Sequence, residues 1–142
     1  MMISTRGRYA LRVLIDLAEH NDGNYIPMKD VAERQGLSLK YLERILPVLT
    51  KNKLILGMHG KGGGYRLSRT PDEYTVGEIL RLTEGNLAPV TCLEHDAEPC
   101  ARAAECRTLE MWKKFHEMTN NYFDGITVAE LMRTEAANDY VI

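Results

Sequence analysis

VAERQGLSLKYLERILPVL, Val31–Leu49, is the stretch on which the fold turns. Its first half ends at Gly36, the residue type best suited to the left-handed backbone that closes a helix in a sharp turn. Ser38 then has the side chain to cap a second helix, whose Leu42, Ile45, Leu46 and Leu49 recur at intervals of three and four. Those residues make a buried stripe and leave Lys40, Tyr41, Glu43 and Arg44 on the outer face. A helix over 28–35 with Val31 and Ala32 inward, a glycine turn, and a helix with an outward cationic and aromatic row form a helix-turn-helix. A helical hairpin with a merely solvated charged face shows the same pattern, so the flanks must decide. Pro47 removes one backbone donor and predicts a bend or tightening of the second helix near Ile45.

Downstream, residues 54–58 and 65–67 are short β-like runs joined by His59, Gly60, Lys61, Gly62, Gly63 and Gly64, a hairpin with a flexible tip. Upstream, Tyr9, Val13, Leu14 and Leu17 predict a helix over 8–20, with Ser4 and Thr5 available to cap it. Three helices followed by a hairpin make a winged helix. The tip glycines let backbone approach a DNA groove, and His59 and Lys61 supply donors to phosphate or base edges. A nucleotide loop is excluded: the tip lacks the Gly-Lys-Ser/Thr ending, and Tyr65 stands at the last glycine of a G-x-G-x-x-G pattern.

Charge agrees with this division. The whole chain of 142 residues carries a net −2, but residues 1–70 hold twelve Lys and Arg against six acids, a balance of +6 that leaves −8 for the remainder. A basic half suits a polyanion. Arg6, Arg8, Lys51 and Lys53 are the expected phosphate holders. No apolar run approaches the roughly 18 residues of a membrane span, and residues 1–12 lack the apolar core of a secretory signal, so a cytoplasmic protein is expected. Outside the cysteine segment there is no triad, carboxylate pair or metal-binding helix, which argues against an enzyme.

Residues 76–83 predict a fourth helix through Val76, Ile79, Leu80 and Leu82. Further on, Met111, Phe115, Met118 and Tyr122, widened by Trp112, form a long amphipathic stripe that predicts a dimer seam. A short helix over 126–132 and a frayed 134–142 complete the expectation. The fold class is mainly α: a winged helix-turn-helix with a small β-hairpin wing and a long C-terminal dimerisation helix. The expected divisions are 1–84 for DNA binding, 85–107 for a cysteine loop, and 108–142 for the dimerisation helix and tail.

CLEHDAEPCARAAEC, Cys92–Cys106, holds all three cysteines. In a reducing compartment they are free, reactive or metal-bound, and three cannot pair completely. No C-x2-C knuckle is present, which disfavours zinc. Thiolates on a generously spaced loop suit iron bound to sulfide, and thiol redox sensing or no special role stand behind that reading.

RGRYALRVLIDLA, ERQGLSLKYLERIL, GKGGGYRLSR, TVGEIL and three cysteines followed by a Trp-bearing helix together resemble the winged-helix regulators of the IscR and NsrR type. The resemblance runs from about Ser4 to Leu131. It implies a homodimeric transcription factor on near-palindromic operators that senses iron–sulfur status, oxygen or nitric oxide through a 2Fe–2S or 4Fe–4S cluster on Cys92, Cys100 and Cys106. It places Ser38, Lys40 and Glu43 at the base-reading start of the recognition helix and 59–64 in the wing. Two family ligand positions differ: Leu109 stands where IscR-like members carry histidine, and Arg8 where NsrR-like members take an aspartate. Glu110, then His95, are the candidates for a fourth ligand. Some relatives work without a cluster and respond to cysteine metabolism, which is the alternative function.

Overall fold

Ser4 starts the first helix by accepting the Gly7 N–H on its hydroxyl at 3.3 Å. In the computed structural model, which describes residues 2–133, α1 accordingly spans Thr5–Glu19, three residues ahead of the expected start. Ala10, Val13, Leu14, Leu17 and Ala18 line its buried face. Next, α2 spans Met28–Gln35 and closes on Gly36, whose φ of 64° is left-handed. The third helix, α3, runs over Leu39–Lys51 and continues unbroken through Pro47. Its Leu42, Ile45, Leu46 and Leu49 are buried, as their spacing predicts.

A buried charge sets the angle between the first two helices. Asp16, with no exposed surface, receives Arg34 at 2.7 Å through Nη2 and Gln35 at 2.9 Å. Arg12 in turn donates to Gln35 Oε1 at 3.1 Å. Charge-assisted bonds of this kind hold the last turn of α2 against α1.

The wing consists of antiparallel β1, Ile55–Met58, and β2, Gly64–Leu67, in register Ile55↔Leu67 through Met58↔Gly64. Ile26 adds an isolated antiparallel bridge to β2 by exchanging two 2.8 Å backbone bonds with Tyr65. Gly64 has a φ of 144°, and a Cβ there would collide with the Ile26 carbonyl. Tyr74, fully buried, donates its hydroxyl to the Leu54 carbonyl and accepts the Ser68 and Arg69 N–H groups at 3.1 and 3.2 Å, which fastens the wing's base to the core.

The fourth helix, α4, spans Val76–Glu84, and its buried residues include Thr83, whereas Leu82 is half-buried. It meets α5, Leu109–Asp124, through Arg81, which reaches Asp124 at 2.6 Å and Asn120 at 2.9 Å. A last helix, α6, Val128–Leu131, returns to the first domain: Val128 is fully buried and its N–H bonds the Tyr74 carbonyl at 3.0 Å. Val128 of α6 thus belongs to the same hydrophobic core as α1, α2 and α3. The expectation for 134–142 lies outside the described residues.

Candidate nucleic-acid interface and cysteine loop

Ser38 caps α3 by accepting the Tyr41 N–H at 3.3 Å, which fixes where the helix begins and therefore which side chains lead it. Lys40, Glu43 and Arg44 are exposed on its outer face. Tyr41 departs from that row: it is half-buried and meets the Tyr9 ring edge-on at 5.4 Å, so part of its surface orients α3 on α1. It still lines a surface cleft with Ser38, Lys40 and Arg44. An adjoining cleft of about 290 Å³ adds Arg6 to Tyr41 and Arg44, so the structure brings α1's first turn beside the outer face of α3. Arg8 is exposed and donates to Thr5 Oγ1 at 3.2 Å, and it does not line that cleft.

On the wing, His59 and Lys61 are exposed, as are Lys51 and Lys53 at the end of α3. His59 lines a cleft of about 330 Å³ with Thr50, Gly57, Met58 and Tyr65, between the end of α3 and the wing. Leu39, 37% exposed at the start of α3, and Leu56 and Met58 on β1 were not foreseen. For Leu39 the available signal was its absence from the 42, 45, 46, 49 stripe.

The cysteine segment leaves α4 through Gly85, whose φ is 86°. Cys92 sits half-buried on a 3-10 turn over Thr91–Leu93, while Cys100 and Cys106 are exposed, and all three thiols are free. Among the described residues the backbone bonds within 90–105 join residues three apart, for example Ala97 to Glu94 and Ala103 to Cys100. A segment bonded only to itself changes shape at little cost. The Cys106 thiol lies 3.5 Å from Thr108 Oγ1. That hydroxyl, then the Thr108 and Leu109 backbone and Arg102, hold its pKa below the ordinary thiol value.

Among the described residues no three His, Cys, Asp or Glu side chains converge to metal-binding distance. Glu110 is exposed and bonded to Lys113 Nζ at 3.4 Å, and His95, equally exposed, lies 3.5 Å from Asp96. Neither is gathered with the thiols. The donor set nevertheless fits an iron–sulfur group in kind: three thiols outside the core, unpaired, one with its thiolate favoured. His116, which the sequence did not signal, is half-buried in a cleft of about 320 Å³ with Leu93, His95, Asn120 and Arg81. There the loop rests on α4 and α5.

A capped basic-faced helix and a glycine-tipped wing, carried on one small helical core, are the working parts of winged-helix proteins, and this chain is a DNA-binding transcription regulator of that class, not an enzyme. More narrowly, the Rrf2 family, described as iron-dependent transcriptional regulator, matches residues 3–134, and the chain belongs to it. It is similar to the HTH-type transcriptional regulator IscR of Aliivibrio salmonicida, 36% identical over 132 residues that make up 93% of this chain and 77% of that one. Among solved structures, CymR, the global cysteine regulator of B. subtilis, is 34% identical with a TM-score of 0.75 over 92% of this chain and 95% of its own. T. potens IscR is 33% identical with a TM-score of 0.72 over 92% and 85%. No described helix is long and apolar enough to cross a membrane.

Proposed function

We propose that this regulator is a cytoplasmic homodimer whose grip on a near-palindromic operator is set by an iron–sulfur group held on Cys92, Cys100 and Cys106. The observation that carries this is the pairing of two features, one leading into α5 and one running along it. All three thiols lie free on a self-bonded segment just before it, and its Met111, Phe115, Met118 and Tyr122 are 53, 44, 59 and 67% exposed. The first supplies soft donors on a segment able to close, and the second an apolar face for a second copy. The family description and the IscR-named relatives support the same reading.

Each residue then has a role. Ser38, Lys40 and Glu43 lead the recognition helix to base edges, while Arg44, Arg6, Arg8, Lys51 and Lys53 hold phosphates. His59 and Lys61 enter the neighbouring groove from the wing. Two such helices in one dimer must sit about 34 Å apart, so a small rotation at the α5 seam changes affinity. Glu110 leads His95 as the fourth donor, lying four residues past Cys106 in the first turn of α5. When bound, the cluster supplies a centre that iron, oxygen or nitric oxide can alter.

Cys106's favoured thiolate and the likeness to a global cysteine regulator support a second reading, a cluster-free thiol-redox or cysteine-metabolism regulator. Anaerobic reconstitution with iron and sulfide, followed by absorption and Mössbauer spectra, separates the two. The first reading expects a coloured, iron-bearing protein that the triple Cys→Ser variant cannot form, with Glu110→Ala altering its spectrum. A colourless wild type sinks it in favour of the second.

A further inference from the structure

The ends of α1 and α4 hold each other reciprocally. Glu84, the last residue of α4, accepts both the Ser4 N–H at 3.0 Å and the Ser4 hydroxyl at 2.7 Å on its Oε1, at the positive end of the α1 dipole. In the other direction Arg6, in the first turn of α1, reaches the Thr83 carbonyl at 3.5 Å, at the negative end of α4. Gly7 makes room for this: a Cβ there would collide with Glu84 Oε1 and press on Leu80 and Ile3 at 3.2 and 3.3 Å. One side of the clasp continues directly through Gly85 into the cysteine segment, with Cys92 only eight residues beyond Glu84. The other side is Arg6, which shares its cleft with Tyr41 and Arg44 of α3.

We infer that this clasp, with Glu84 as its positioning residue, carries the state of the cysteine loop to the DNA face. The inference rests on the reading above that the loop controls operator binding. Closure of the loop around a bound group pulls on the last turn of α4. Because Ser4 and Arg6 are tied to that turn, α1's first turn moves with it, and Arg6 shifts against Arg44. The recognition face is thereby reshaped within one protomer, independently of the dimer seam.

The test uses the full chain and a duplex selected by the wild-type protein from a random-sequence pool. The quantity measured is the ratio of duplex affinities between iron- and sulfide-reconstituted protein and its triple Cys→Ser counterpart, in the wild type, Glu84→Ala, Glu84→Gln and Gly7→Ala. The wild-type ratio is expected at about 5- to 150-fold, falling to about 2-fold or less in Glu84→Ala and Gly7→Ala. Glu84→Gln, whose amide oxygen still accepts both Ser4 donors, keeps most of it. Amide exchange over residues 5–8 should respond to loading in the wild type and not in Glu84→Ala. Should Glu84→Ala fail to fold, Ser4→Ala, which removes one donor, must lower the ratio. Undiminished ratios in the folded variants overturn the clasp alone, whereas a wild-type ratio of one overturns the clasp and the loop's control of DNA binding together.

Discussion

Gly64 is held in place by backbone on both sides. With φ at 144° and the Ile26 carbonyl where a Cβ would go, a side chain breaks the bridge between Ile26 and Tyr65. Gly64→Ala is expected to cost about 2 to 4 kcal/mol in urea unfolding, with the wing's amides losing protection first. The Cys106 thiol makes a different prediction. Its pKa lies below the ordinary value because the Thr108 hydroxyl and nearby N–H groups stabilise the thiolate. A lowered pKa means the reactive anion is present above a displaced midpoint and is lost as pH falls through it. In Cys92→Ser/Cys100→Ser protein, the iodoacetamide rate against pH should turn at a lower pH than for a free cysteine peptide, and Thr108→Val should move the midpoint upward. A midpoint unaffected by Thr108→Val would show that the hydroxyl contributes nothing.

Among the described residues, α5 packs Phe123 against Val76, Leu80 and Leu87 but leaves Met111, Phe115, Met118 and Tyr122 exposed. None of its residues is buried, though α4 holds it through the Arg81 bonds to Asp124 and Asn120. Fully burying an apolar side chain of this size contributes about 1.5 to 3 kcal/mol, so the proposed two-fold seam would draw its stability from these four half-exposed residues of each protomer. Phe115→Glu with Met118→Glu is expected to yield a monomer by sedimentation velocity and to weaken operator binding, while α1 to α4 retain their helicity. A wild-type monomer at micromolar concentration would contradict the dimer. The short α6 teaches the converse: its Val128 lies in the core of the winged helix, so truncation ahead of it should destabilise the DNA-binding domain itself.

For the molecule as a whole, the +6 balance of residues 1–70 against −8 beyond predicts steep salt dependence of DNA binding and a preferred orientation of approach. Lys61→Ala should weaken binding to all sequences alike and reduce the salt slope by about 0.9 for each phosphate no longer neutralised, whereas Lys40→Ala should chiefly relax base preference. Equal effects of Lys61→Ala on slope and on base preference would assign the wing to base reading. Much of this architecture was legible in the residues themselves. The left-handed Gly36, the Ser38 cap, the 42, 45, 46, 49 stripe, the glycine-tipped hairpin and the charge division follow from backbone restriction, periodicity of 3.6 and counting, all of which act over a few residues. Only the tertiary structure decided the rest: Tyr41 turned onto Tyr9, Asp16 buried under Arg34, α6 returned to the core, the thiols left apart, and Ser4 bound to Glu84 across 80 residues of chain. Such pairings depend on which surfaces meet once the helices pack, and a polar side chain shows its partner only after the fold has removed water from both.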